Sequence, residues 1–521
     1  MKPSSKFSLI AVITIFTILF SPFNSFAQPN IEWQKSLGGT DIENAYSIQQ
    51  TLDGGYIVAG VAKSTDGDVT GNLGGNDYWI VKLSNTGSID WQKSLGGTNN
   101  DYAYSIQQTS DGGYIVAGSS SSTDGDVTGN NGSFDYWIVK LTSTGSIEWQ
   151  KSLGGTVDDG ANFVQETSDG GYIVAGYCSS TNGDITGNHG GYDYGIVKLT
   201  STGSIEWQKS LGGTDDDFPS SILQTTDGGY IVAGLSNSND GDATGNHGAY
   251  DYWLVKLTST GSIDWQKSFG GNYDDNANSI QQTADGGFIV AGRSQSTNGD
   301  ITGNHGNNDY WIVKITNTGI IEWEKSLGGT DSDYALSIQQ TSDEGYIVAG
   351  VAESTDGDVS VNLGYIDYWI VKLTSTGNID WEQSLGGTDA DYALSIQQTS
   401  DGGYIVAGYS YSNDGDITGN NGEYDYWIVK LGEGVAIEEP LANDNEFNIY
   451  PNPAQINLTI SINVELKNAQ VEIYNVMGEK VYNAAINNKL ATINTKQFSS
   501  GIYFVIIVAE GKHFTKKLIV E

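Results

Sequence analysis

The sequence predicts an all-β protein: a seven-bladed β-propeller closed by its own N-terminal strand, followed by a separate small C-terminal β domain. Three observations carry this. Seven tryptophans in an I-[DE]-W context (Trp33, Trp91, Trp149, Trp207, Trp265, Trp323 and Trp381) are spaced 58 residues apart without exception. A second series in D-Y-W (Trp79, Trp137, Trp253, Trp311, Trp369 and Trp427) completes the 13 tryptophans, with Gly195 standing in the third copy. Internal self-similarity at a fixed period marks a repeat architecture, and each copy holds four strand signals with no helical periodicity.

The elements follow in chain order. Lys2 and Lys6 precede an apolar run from Leu9 to Phe20, and Ser25-Phe26-Ala27 is a small-x-small cleavage site. Residues 1–27 therefore read as a secretory signal peptide, the run being short for a membrane span; an uncleaved anchor is the alternative. In the first repeat Ala45 to Thr51 and Tyr56 to Gly60 flank the turn signal Asp53-Gly54-Gly55 and form a hairpin. A Gly/Asp/Asn/Thr-rich loop leads to a third strand, Asp77 to Leu83 (DYWIVKL). Asn85-Thr86-Gly87 turns the chain into a fourth, Ile89 to Leu95 (IDWQKSL). The strands are apolar runs, as expected where both sheet faces are covered.

Four antiparallel strands repeated seven times describe a propeller over residues 31–431. The array opens with an orphan fourth strand, Ile31 to Leu37 (IEWQKSL), and closes with a third strand, Asp425 to Leu431. The orphan can complete the last blade and leave no open edge, with both tryptophans of each blade buried against neighbours. An open solenoid of the same units is the alternative, and it would leave that strand unpaired.

Composition narrows the function. The chain has 521 residues and a formal charge of -39, from 24 Lys+Arg against 63 Asp+Glu. So acidic a surface repels phosphate backbones, which disfavours nucleic-acid binding. One cysteine excludes an intramolecular disulfide framework and a Cys-based zinc site. Residues 432–446 form an acidic linker. Residues 447–521 contain no Asp, and 7 Lys against 5 Glu, a shift that sets this tail apart as its own domain.

Five tail segments carry a resemblance: Tyr450-Pro451-Asn452-Pro453; Val471 to Gly478 (VEIYNVMG); Ile493-Asn494-Thr495 with Phe498; Ser500-Gly501-Ile502-Tyr503; and Thr515 to Val520 (TKKLIV). They resemble, in family order, the type A sorting domain of the type IX secretion system. The resemblance implies a small Ig-like β-sandwich and passage across the outer membrane of a Gram-negative bacterium. It also implies recognition by the secretion machinery, and a mature protein that is released or attached at the cell surface. An ordinary Ig-like module is the alternative.

The loop between the second and third strands is the strongest chemical signal. In the first repeat Asp66, Asp68, Thr70, Asn72 and Asp77 place oxygens at loop positions 1, 3, 5, 7 and 12, with Gly71 at 6. That spacing resembles an EF-hand calcium loop. The candidate ligands recur as Asp124, Asp126 and Asp135; Asp184 and Asp193; Asp240, Asp242 and Asp251; Asp300 and Asp309; Asp356, Asp358 and Asp367; and Asp414, Asp416 and Asp425. The departures are Asp instead of Glu at position 12, an apolar position 4, Asn182 and Asn298 at position 1, and Val361 in place of the glycine. The competing reading is a turn held by side-chain-to-backbone bonds and copied seven times.

Other motifs point less sharply. His189, His247 and His305 share one loop position and cannot meet on one zinc ion. The lysine series Lys82, Lys140, Lys198, Lys256, Lys314, Lys372 and Lys430 reads as charge balance and edge protection. Glutamines such as Gln49, Gln107 and Gln397 would line the central channel, where amides could bind sugar or water. The third repeat is the odd one, with Phe163, Glu166, Cys178 and Gly195. No paired carboxylates of a glycosidase are evident. The sequence thus supports a secreted or surface-attached binding or adhesion propeller with a glycan or protein ligand, calcium being its candidate cofactor. A propeller-fold polysaccharide hydrolase or lyase is the alternative.

Overall fold

A computed structural model describes residues 28–433, 447–462, 469–475, 480–486, 488–499, 501–509 and 512–520. The signal peptide of 1–27 and most of the acidic linker lie outside the described residues. The chain divides into two compact units, the first spanning Gln28–Val435 and the second holding the C-terminal strands.

The first unit is a ring of seven four-stranded antiparallel sheets. Blade 1 runs from its innermost strand, Glu43–Gln50, through Tyr56–Ala62 and Asp77–Leu83 to its outermost strand, Ile89–Leu95. Five blades repeat this order. The seventh is built from Asp391–Gln398, Tyr404–Ser410 and Asp425–Leu431, and its outermost strand is Ile31–Leu37 from the chain start. Trp33 stands opposite Lys430 and Leu37 opposite Tyr426, so the N-terminal strand closes the ring. An open solenoid would need that edge free, and here it is paired.

Both middle strands of blade 1 are buried along their whole length. This explains why the sequence shows apolar runs instead of alternation: adjacent blades cover both faces. The two tryptophan series differ, contrary to the expectation that both are buried alike. Trp79 and its counterparts on the third strand are fully buried, whereas Trp33, Trp91 and most of the outermost-strand series are half-buried. The outermost strand has solvent on one side, so its indole is covered from one direction only. Trp33 packs edge-on against Tyr56 of the following blade at 5.7 Å between centroids. Above it lies Gly87, at φ +77, where a Cβ would come within 2.9 Å of the indole.

Blades are locked by one repeated contact. The Tyr78 hydroxyl donates to the carbonyl of Trp137 in the next blade at 2.8 Å, and the two rings lie 4.5 Å apart. The Tyr426 hydroxyl completes the circle on the Trp79 carbonyl at 2.9 Å. At the third blade Tyr136 still donates, to the Gly195 carbonyl at 2.9 Å, but there is no indole to stack on. Cys178 fills part of that space, buried, with its Sγ 3.2 Å from the Ser210 hydroxyl. Burial pushes its thiol up to about 12, which makes this an inert packing cysteine.

The lysine series is not edge protection. Lys82 is buried on the third strand, which has neighbours on both sides. Its Nζ sits 3.0 Å from Asp53 Oδ2 and donates to the Leu83 carbonyl at 3.0 Å, clamping the Asp53-Gly54-Gly55 turn.

The second unit has a sheet of Phe447–Tyr450, Asn457–Ile462 and Leu490–Asn494. A second sheet is ordered Lys480–Ile486, Ala469–Asn475, Gly501–Ala509, Lys512–Val520. Leu458 and Ile460 from the first share one core with Ile473, Val505, Ile507 and Leu518 from the second, which makes a small β-sandwich.

Deleting Ile31–Leu37 should destabilise the entire ring by about 3 kcal/mol or more, from the lost burial of Leu37 and the lost ladder bonds. The measurement is a thermal melt of truncated against full-length protein; equal midpoints would contradict closure by this strand.

Candidate binding face and blade junctions

In this topology the loops from second to third strand and the links between blades share one face; the tight turns at Gly54 and Gly87 lie on the other. The chemistry gathers on the loop face, in three places.

The long loops are knitted by their own side chains. Asp66 accepts from the Thr40 amide at 2.9 Å, and its other oxygen accepts from the Thr40 hydroxyl at 3.0 Å. Asp68 accepts from the Gly38 amide at 3.3 Å. Asn72 bridges the Ala62 carbonyl and the Gly74 amide, and Asp77 Oδ2 accepts from the Leu73 amide at 2.6 Å. Val69, the apolar position 4 that broke the EF-hand pattern, is buried as the loop's anchor. Positions 1 and 3 thus turn toward the preceding link, and position 12 toward its own loop. Each of the three histidines sets Nδ1 against the position-12 carboxylate of its loop: His189 on Asp193 at 2.9 Å, His247 on Asp251 at 2.7 Å and His305 on Asp309 at 3.0 Å. Among the described residues no group of three or more His, Cys, Asp or Glu is spaced to hold a metal ion as the loops stand.

Acidic groups meet instead between blades. Asp77 is fully buried, and so is Asp101, which opens the innermost strand of the next blade. Burial, then the charges of Asp101 and Asp126, push Asp77 up to about 7 against a single opposing bond from the Leu73 amide. Burial likewise raises Asp101, and it lifts Asp367 and Asp425 to about 7. The strand-opening acids Glu43, Asp101, Asp159, Asp217, Asp275, Asp333 and Asp391 were not singled out from the sequence. Their signal was present, an acid six residues after the leucine or phenylalanine of every SLGG or SFGG, but it lies outside the loop pattern.

The channel glutamines are structural. Gln49 Oε1 accepts from the Gln108 amide of the next blade at 2.6 Å, and Gln50 Oε1 from the Ser400 amide at 2.8 Å. These bonds stitch neighbouring innermost strands together; Leu223 interrupts the first ring and Phe163 the serine ring beside it. Glu166 takes the glutamine's place in the second ring, accepting from the Ser110 amide at 2.8 Å.

The rim around the channel mouth varies from blade to blade. Each innermost strand carries a bulge at one place, between Ala45 and Ser47 in blade 1. The extra residue is Tyr46, Tyr104, Asn162, Ser220, Asn278, Leu336 or Leu394. A bulge re-aims a side chain out of the sheet. Three further positions vary as widely: the second residue of the innermost strand, the end of the second strand and the residue before the third. Together they form an aromatic arc. Tyr46 and Tyr104 lie 5.2 Å apart, Tyr192 and Phe218 4.9 Å, and Tyr392 and Tyr409 4.9 Å. The arc ends at Arg293, the chain's one arginine, whose guanidinium lies 4.9 Å over Tyr334.

Residues 448–521 match the family described as secretion system C-terminal sorting domain. The chain therefore belongs to the class of proteins that carry a type IX sorting tail, secreted or displayed on the outer surface of a Gram-negative bacterium. That tail is what engages the secretion machinery. Among the described residues no helix is long and apolar enough to cross a membrane. The regulatory protein FlaEY of Caulobacter vibrioides is 23% identical over 395 residues, covering 66% of this chain and 40% of that protein. The endo-acting ulvan lyase of Formosa agariphila is 26% identical over 247 residues, covering 40% of this chain and 46% of the lyase. The chain thus spans less than half the length of either. Of solved structures, PorZ, a surface component of the type-IX secretion system of Porphyromonas gingivalis, gives a TM-score of 0.41 at 12% identity over 93% of this chain and 60% of PorZ. The Pan2 WD40 domain of Neurospora crassa gives 0.43 at 11% identity over 78% of this chain and the whole of that domain.

The raised carboxyls give a pH dependence of unusual sign. Folded Asp77 holds its proton up to about pH 7, whereas in the unfolded chain a carboxyl releases it near pH 4. The stabilisation is complete below the unfolded value and is lost as pH rises through the folded one. In chelator the melting midpoint should therefore fall by several degrees between pH 5 and pH 8. Asp77→Asn, which removes one of several raised carboxyls, should make that slope shallower, and a midpoint that rises over this range would refute the assignment.

Proposed function

We propose that the propeller is a non-enzymatic binding module working outside the cell, and that it takes glycan along the aromatic rim of its loop face. The supporting observation is the pattern of variation between otherwise near-identical blades. It gathers on the loop face, and four of the varied positions there hold Tyr and Phe in an arc over blades 7, 1, 2, 3 and 4. Tyrosine gives rigid amphipathic contact area at low entropic cost, and half-buried rings with protonated phenols suit sugar faces and hydroxyls together. Burial raises the Tyr104 and Tyr409 phenols further above their ordinary value. A scaffold kept constant with a varied rim is what a binding surface requires. Adhesion through one extended rim site fits this arrangement better than seven equal loop sites.

A polysaccharide lyase or hydrolase is the second reading, favoured by the overlap with the ulvan lyase of Formosa agariphila. Glycan-array binding of the full-length protein, followed by product analysis on each hit, separates the two. Binding without turnover supports the module. Tyr104→Ala and Tyr409→Ala should each weaken binding by about tenfold, as for lost interface hot spots. Leu52→Ala, on the opposite face and 88% exposed, should leave it unchanged. Equal loss in all three, or cleavage of the bound glycan, would count against the proposal.

A further inference from the structure

We propose that each blade junction is a divalent-cation site, selective for calcium, formed by two carboxylates from adjacent blades and not by the oxygens of a single loop. At the first junction Asp77 ends the long loop of one blade and Asp101 opens the next. A Cβ placed on Gly96 would stand 2.7 Å from Asp77 Oδ1 and 2.5 Å from Asp101 Oδ2. Two carboxylates therefore face one small space that only a glycine leaves open. Both side chains are fully buried, and Asp77 Oδ1, the atom aimed into that space, has no hydrogen-bond partner among the described residues.

Further oxygens stand nearby. The buried Ser122 hydroxyl lies 2.9 Å from Asp101 Oδ2, and Asp126 Oδ2 approaches the Gly96 amide at 3.4 Å. The arrangement recurs around the ring. Gly154, Gly212 and Gly270 are flanked in the same way, and the closing junction puts Gly38 between Asp425 and Glu43. At all seven junctions the Oδ1 of the third-strand aspartate is buried and unpartnered.

Two buried carboxylates facing one space cannot both ionise without a counter-charge. The buried lysine of the same strand cannot supply it, since Lys82 sits at the far end and is paired with Asp53. Carboxylate and hydroxyl oxygens are hard donors. Calcium accepts them in irregular geometry and binds extracellular modules at 10⁻⁴–10⁻³ M, whereas magnesium demands a tight octahedron. A propeller with 15 basic and 58 acidic residues between 28 and 446 gains further from any bound cation.

The test is equilibrium dialysis of the full-length protein against radioactive calcium at millimolar concentration, with thermal melts in chelator, calcium and magnesium. The expected result is uptake of close to seven calcium ions per chain. The midpoint should rise by about 5 °C or more in calcium, by mass action on the folded state, and by less in magnesium. Asp101→Asn should remove one ion from the count. Gly96→Ala, whose methyl would fill the space, should do the same by another route. Asp66→Asn, whose oxygens are taken up by Thr40 instead of facing the Gly38 space, should keep the full count. No uptake, or loss in Asp66→Asn with none in Asp101→Asn and Gly96→Ala, would overturn the proposal; the second outcome would return the ion to the loop.

Discussion

Every blade depends on the next through a tyrosine. The hydroxyl at the second residue of each third strand reaches the backbone carbonyl of the following blade at its Trp position, as Tyr78 does on Trp137 at 2.8 Å. A single repeat has no place to bury Trp79, since the cluster that covers it contains Ile405, Ala407, Tyr426 and Ile428 of blade 7. The core therefore lies between blades, and the ring must close to bury it. This contact also tolerates substitution where its backbone half survives. Gly195 removes an indole, yet Tyr136 keeps its bond at 2.9 Å, and Cys178 takes up space nearby. The third repeat, odd by sequence, is a packing variant.

The same constraint accounts for the unvarying period. The glycine of each interblade link must pass between two carboxylates of different blades, as Gly96 does between Asp77 and Asp101. The Gly87 turn must meet the preceding blade's indole, where a Cβ would clash at 2.9 Å. An insertion in the link or the turn would shift one of these contacts against the other. Seven copies of equal length are then a geometric requirement, whatever their duplication history.

Much of this was legible in the residues. The tryptophan spacing, the DYWIVKL strands and the orphan IEWQKSL predict the ring and its closure, because apolar runs and turn signals are local. The observed third and outermost strands, Asp77–Leu83 and Ile89–Leu95, coincide with those read from sequence. What was hidden depends on pairing between distant residues. The innermost strand starts at Glu43, two residues before Ala45, because its opening carboxylate is buried at a junction. The bulge at Tyr46 exists only relative to the partner strand. The EF-hand spacing is genuine in the sequence, but Asp66 and Asp68 spend their oxygens on Thr40 and Gly38, which lie outside the loop. Spacing within one segment cannot reveal that its donors face another.

Separating scaffold from rim explains how one fold can be both repetitive and specific. The junction carboxylates, the tyrosine-to-carbonyl locks and the lysine clamps recur in every blade, so none can distinguish one part of a ligand from another. The rim positions are free to vary because they lie at the bulge and at strand ends, outside the interblade clusters that bury the third-strand tryptophans. Arg293 shows this freedom at its limit. A guanidinium sits where other blades have Val, Ser, Leu or Tyr, half-buried against Tyr334, with no ion pair among the described residues and no disturbance of the ladder from Gly292 to Trp311. In blades 1 and 6 the same position holds the buried Val61 and Val351, so the charge is accommodated in blade 5 because the guanidinium is left half-exposed. The asymmetry a ligand would recognise is thus carried by the loop-face layer, outside the clusters that hold the ring together.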